Sequence, residues 1–218
     1  MIELDTSHVA LATLRDLLPE ATVAGGSFSS LLPPPRMLSS DDRRTEYERV
    51  RELAIETCLA RAASDAGLSG ITIRRGDDGA RQWPRGFVGS LSDKGTVVAT
   101  ALAPISILRA LGIDLELIDN SASQLDAALI GADSPRGFAP AVQTLLTFSA
   151  KEAVFKAQFP LTGAKLQYLD IELDWSGQSS PHLEAIARSP RFPEPLIVRS
   201  ATSRRWIVAI AASMSSLA

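Results

Sequence analysis

The sequence contains a single cysteine, Cys58, and only two histidines, His8 and His182. One cysteine excludes a disulfide framework and any zinc site built from cysteine, and two scattered histidines argue against a histidine-rich metal site. Positive charge is not in excess: 22 Lys+Arg stand against 25 Asp+Glu, a formal net charge of -3. No nucleic-acid partner held by bulk positive charge is therefore expected, although a local basic groove is compatible with this balance. No apolar run approaches the roughly 18 residues that cross a bilayer, so no membrane partner is expected. Glu3 and Asp5 stand where a secretion signal would carry basic residues, and no long apolar stretch follows them. These absences leave the expectation of a reduced, cytoplasmic globular protein.

The chain has 218 residues, 45% hydrophobic and 22% charged, enough for one large domain or two fused halves of about 100 residues each. Residues 7–18 place Val9, Leu11, Leu14, Leu17 and Leu18 at roughly helical spacing. Gly25-Gly26 and Pro33-Pro34-Pro35 break regular structure. Asp41 to Ala66, free of proline and glycine, predicts the longest helix, capped by Asp41 or Asp42 and followed by Gly67 just past its end. Strands are expected at 71–73, 87–91 and 96–102, with a tight turn at 76–79 and a connection around 93–95. Leu111 to Ile118 alternates apolar and acidic residues as a half-buried strand does. Helices are expected at 121–130 and 140–158, the second stopped by Pro160. Late strands follow at 168–175, 183–187, 196–200 and 205–212. The order predicts an α+β protein with mostly antiparallel sheets, in two helix-plus-sheet halves that meet near residue 108.

Three constellations could carry chemistry. In Gly112-Ile113-Asp114-Leu115-Glu116, strand alternation sends Ile113 and Leu115 into the core and Asp114 and Glu116 together to the other face. Two carboxylates roughly 6.5–7 Å apart at the backbone can converge on one hard cation such as Mg²⁺; the plain alternative is a solvated strand face. In Phe148-Ser149-Ala150-Lys151-Glu152-Ala153-Val154-Phe155-Lys156-Ala157, Ser149 and Glu152 read as a capping box and Glu152 and Lys156 as a helix-stabilising pair. The competing functional reading makes Glu152 a third cation ligand or base, with the Lys156 ammonium facing a phosphate. In Trp83-Pro84-Arg85-Gly86-Phe87-Val88-Gly89-Ser90-Leu91-Ser92-Asp93, glycines beside Ser90 and Ser92 would let a phosphate approach the backbone, or simply mark a glycine-tolerant strand and turn.

Together these stretches, WPRGFVGSLSDK, GIDLE and FSAKEAVFKA, resemble the 4′-phosphopantetheinyl transferase superfamily. The likeness is to the two-halved type that serves siderophore, polyketide and nonribosomal peptide synthetases. It is densest over residues 83–157 and weaker from about Asp41 to the C-terminus. The resemblance implies a pseudo-twofold pair of similar halves, 1–108 and 109–218, each a small mostly antiparallel sheet packed with helices. Coenzyme A would lie between them, and a monomer would suffice.

The activity implied is Mg²⁺-dependent transfer of the phosphopantetheine arm of coenzyme A to a serine of an acyl or peptidyl carrier protein, releasing 3′,5′-ADP. By the same resemblance, Asp114, Glu116 and Glu152 would hold the metal, Glu152 would serve as base and Lys156 would stabilise the leaving group. Ser90, Ser92, Lys94 and Lys151 would border the coenzyme A site, with Arg74 and Arg75 as basic residues ahead of the tryptophan. The family's nucleotide-facing arginines on the long helix correspond to Arg51 and Arg61, or with a shifted register to Glu56 and Ala60.

One departure stands out: Asp93 occupies the place of the family's histidine. Two unit charges of like sign 4 Å apart repel by on the order of 4 kcal/mol at an effective dielectric near 20. Asp93 therefore either turns away while Lys94 reaches the phosphate, or joins the metal shell. The departure keeps two alternatives open: a homologue acting on another phosphate-containing or carrier-bound substrate, and a non-catalytic relative that binds a carrier or nucleotide.

Overall fold

The computed structural model describes residues 2–5, 8–33, 39–77, 79–119, 125, 133–179 and 182–215. In chain order the elements are α1 (Val9–Leu17), β1 (Thr22–Ser27), α2 (Ser40–Asp65), β2 (Phe87–Lys94), β3 (Val97–Pro104), β4 (Leu108–Leu117), α3 (Pro140–Thr162), β5 (Glu172–Ser179), β6 (His182–Ser189), β7 (Phe192–Ser203) and β8 (Trp206–Met214). They form an α+β fold with two antiparallel sheets, ordered β1-β3-β2 and β4-β8-β7-β6-β5. The sheets share a plan. In each, the first strand is followed by a long helix and then pairs with the last strand, β1 with β3 and β4 with β8. The second sheet adds the hairpin β5–β6.

Alternation along β4 explains how the sheets bury their faces. Leu111, Ile113 and Leu115 join Val208 and Ile210 of β8, the alanines of β3, and Leu11, Leu14 and Leu17 of α1 in one core. The opposite face of β4 meets α3, where Ala150, Ala153, Val154 and Ala157 pack over Ala110, Ala209 and Ala211. Helix α2 covers the outer face of the small sheet through Ala54, Ile55, Cys58 and Leu59. Among the described residues no helix is long and apolar enough to cross a membrane.

Several local expectations are corrected. Ser39, not Asp41 or Asp42, caps α2, its hydroxyl accepting from the Asp42 amide. Residues 71–73 form no strand: of these three only Ile73 is buried, and among the described residues the segment pairs with no strand, an isolated Arg75–Arg81 bridge following it. Asp93 and Lys94 belong to β2, and the reversal falls at Gly95-Thr96, where Gly95 has φ +56. Helix α3 runs past Pro160 to Thr162. A proline in the last turn removes only one intrahelical bond, and the left-handed Gly163 closes the helix by donating to the Phe159 carbonyl. Ser149 lies inside α3, so the Ser149–Glu152 capping box does not form; the helix starts nine residues earlier at Pro140. The helix expected at 121–130 falls outside the described residues except for Leu125, as do Pro34 and Pro35 of the proline run.

Candidate active site

The two sheets meet edge to edge at β2 and β4, and serine side chains make the join. The Ile113 amide donates to Ser90 Oγ at 3.0 Å and the Leu115 amide to Ser92 Oγ at 3.1 Å. Residue numbers rise together along both strands, so the edges run in the same direction, with hydroxyls standing in for a backbone ladder. Strand alternation then puts Ser90, Ser92 and Lys94 on the β4 side of β2 and turns Asp93 away.

At this seam Asp114 is buried among donors. Lys156 Nζ reaches its Oδ1 at 2.7 Å, Ser92 Oγ the same oxygen at 3.2 Å, and Ser149 Oγ its Oδ2 at 2.8 Å. Glu116, also buried, pairs with Lys94. Burial pushes the Glu116 carboxyl above its ordinary range; the Lys94 hydrogen bond opposes this and the Asp114 charge adds to it. Glu152 lies across the seam on α3 and accepts from the Tyr168 hydroxyl at 2.6 Å. The Tyr168 phenol is held above its usual pKa by burial first, then by Glu152, and also by the charges of Asp114 and Glu116. All three carboxylates are therefore felt at one phenol.

The donor set fits a hard divalent cation in kind: carboxylate oxygens, two of them buried, with the Asp114 charge disfavouring ionisation of Glu116. Lysine ammoniums supply the counter-charge to Asp114 and Glu116, and the Tyr168 hydroxyl donates a hydrogen bond to Glu152. Among the described residues no group of three or more His, Cys, Asp or Glu stands ready to share an ion. The Glu152–Lys156 helix pair read from the sequence is not made, because Lys156 is drawn to Asp114.

The other nominated residues scatter. Asp93 turns away from the seam, as one of the two alternatives had it, and both its oxygens accept from Arg51, at 2.6 and 2.8 Å; Lys94 pairs with Glu116. Lys151 is 1% exposed and bonds Asp133 and the Tyr168 carbonyl, so it is enclosed in the protein rather than bordering a cleft. Arg61 pairs with Asp65 on an exposed face, and Arg74 is exposed. Arg75 is exposed and donates to the Gly79 carbonyl. Sequence reasoning missed Tyr168 and Asp133. Each lies 16 or more residues from its carboxylate or ammonium partner, beyond any local spacing rule.

Beside the seam is a cavity of about 490 Å³ between β2, the residues before it and the end of α3. Trp83, Leu91, Phe155 and Phe159 give it an apolar wall, and Lys156 belongs both to it and to the Asp114 cluster.

A cation-rich cavity beside paired carboxylates at the seam of two like-built sheets is an arrangement suited to phosphate chemistry. Comparison with known proteins supplies the class. A family model described as the 4′-phosphopantetheinyl transferase N-terminal domain matches residues 37–103. The chain is 30% identical over 171 residues to 4′-phosphopantetheinyl transferase Svp of Streptomyces mobaraensis, covering 72% of this chain and 69% of that protein. It is 32% identical over 145 residues to 4′-phosphopantetheinyl transferase PptT of Mycobacterium tuberculosis, covering 63% and 61%. With 4′-phosphopantetheinyl transferase Npt of Nocardia iowensis the identity is 31% over 137 residues, covering 60% and 58%. The chain belongs to the 4′-phosphopantetheinyl transferase family. Its matches span about three fifths to two thirds of the length of these relatives.

Proposed function

We propose that the chain transfers the 4′-phosphopantetheine arm of coenzyme A to a serine hydroxyl of an acyl or peptidyl carrier protein, with Mg²⁺ as cofactor and 3′,5′-ADP as product. The observation that carries this reading is the buried pair Asp114 and Glu116, each met by a lysine ammonium, sharing Lys156 with the cavity. Residues 1–108 and 109–218 form the two walls, so one chain suffices, and neither membrane nor nucleic acid enters the scheme.

Asp114, Glu116 and Glu152 would hold the Mg²⁺, which would take the place of Lys156 and Lys94 as counter-charge to Asp114 and Glu116. When bound, the ion neutralises the pyrophosphate on which the serine acts. Glu152, oriented by the Tyr168 hydroxyl, accepts the serine proton. The serine oxygen bonds to the phosphorus bearing the pantetheine, the pyrophosphate P–O bond breaks, and 3′,5′-ADP leaves with the electron pair. Lys156, freed from Asp114, meets the charge that builds on the leaving phosphate. The apolar wall of the cavity takes the pantetheine arm, and Arg75 and Ser90 border it on the β2 side.

The test is to incubate the chain with coenzyme A, Mg²⁺ and several apo-carrier proteins and follow intact carrier mass. A phosphopantetheine adduct is expected, with Glu152→Gln lowering its rate by about a hundredfold or more while the melting curve stays cooperative. Carrier binding without a mass change would leave a binding protein. Coenzyme A breakdown without an adduct would leave an enzyme of another substrate.

A further inference from the structure

Among the described residues, those around the large cavity include four cations, Arg75, Arg81, Lys156 and Lys165, and no acidic side chain. Three of the four have outlets already described or lie at the surface: Lys156 is on Asp114, Arg75 bonds the Gly79 carbonyl and Lys165 is exposed. Arg81 differs. Its side chain is 9% exposed, and only Nη1 is engaged, by Glu56 at 3.1 Å and by the Ile73 carbonyl at 3.3 Å. Nε and Nη2 are closed to water and donate to nothing. Buried donors are nearly always paired, and a guanidinium is the costliest place to leave two of them empty. These two N–H groups form one edge of the planar fork, the edge that matches two oxygens of a phosphate.

We infer that Arg81 is an anion-recognition residue of this cavity, its Nε–Nη2 edge taking one phosphate group of the bound ligand. The edge becomes available when the guanidinium turns from Glu56 toward the cavity that Arg81 already lines. Glu56 is half exposed, and such a pair is weakly held. The alternative is a purely structural role, with Arg81 tying the 71–83 segment to α2 through Glu56 and the two empty donors tolerated. The two roles differ in what Glu56 does: under the structural role it supports Arg81, and under recognition it competes with the ligand.

The inference rests on the proposed donor site only for the identity of the ligand, and calorimetry keeps the two apart. Coenzyme A and inorganic pyrophosphate are titrated separately into the full chain, its Arg81→Met and Arg81→Lys variants, and Glu56→Gln. Arg81→Met is expected to weaken coenzyme A binding by about tenfold to a hundredfold, the loss of charged hydrogen bonds. Arg81→Lys should restore only part of it, since an ammonium offers no planar fork. Glu56→Gln, an exposed change that spares folding, should tighten binding by severalfold. Affinity unchanged in the Arg81 variants, or unchanged or weakened in Glu56→Gln, overturns the inference; if Arg81→Met fails to fold, the other two variants decide. Arg81-dependent binding of pyrophosphate without binding of coenzyme A keeps the anion site and rejects the donor. Binding of neither rejects both.

Discussion

Cys58 has no solvent exposure, and its single S–H has two candidate acceptors, the Ala24 carbonyl and Thr100 Oγ1, both 3.2 Å from Sγ. Burial pushes its thiol up to about 11, against 9.0 for a free one. The folded chain thus keeps a proton that the unfolded chain sheds. The resulting stability is complete below about pH 9 and is lost as pH rises toward about 11, at about 1.4 kcal/mol per pH unit. Urea titrations across that window should show the decline, and Cys58→Ala should flatten it. Native protein should also resist alkylation that denatured protein undergoes at once. Other single residues were legible by type but not by partner. Asp93 and Lys94 could be named as the unusual pair, yet alternation sends one to Arg51 and the other to Glu116. Lys151, expected to border the coenzyme A site, is enclosed, because Asp133, 18 residues earlier, supplies its counter-charge.

At the scale of elements, the site depends on how closely α3 approaches β4. A Cβ on Gly112 would stand 1.9 Å from the Ala153 carbonyl oxygen and 2.8 Å from the Ala157 amide nitrogen, both backbone atoms that cannot swing aside. That contact sets the height of α3 over Asp114, so that Ser149 and Lys156 both reach it. Gly112→Ala should force helix and strand apart and cost about 3 kcal/mol or more. Chemical denaturation measures the loss, and transfer activity should fall with it. The strand GIDLE was legible because a period of two is written into its letters. The role of Ser149 was not: a helix expected from residue 140 already puts this serine in its interior, where it cannot cap, but its bond to Asp114 depends on how α3 lies on β4. Pro160 misled for a similar reason: its helix-breaking effect depends on how many turns remain beyond it, and here Gly163 ends the helix within one turn.

Across the whole molecule, the two sheets act as one body through the serine seam. Ser90→Ala would leave the Ile113 amide buried and unpaired, at a cost of about 1–3 kcal/mol. The expected result is a lower melting temperature together with faster hydrogen exchange at the Ile113 amide, read residue by residue. Exchange unchanged at that amide would show that the seam is held by packing alone. The letters by themselves determined the long helices and the strands of the site, which faces are apolar, and that carboxylates, lysines and serines concentrate between residues 90 and 156, since these follow from periodicity and side-chain chemistry along the chain. They did not determine β1, which runs through the Gly25-Gly26 read as a break, nor the absence of a strand at 71–73. Only the tertiary structure decided that Ser90 and Ser92 splice two sheet edges, that lysines neutralise Asp114 and Glu116, that Tyr168 meets Glu152, and that Arg81 is walled in with two of its three nitrogens unpartnered. Those pairings join residues far apart in sequence, and their geometry is set by the crossing of β2, β4 and α3 rather than by any local spacing.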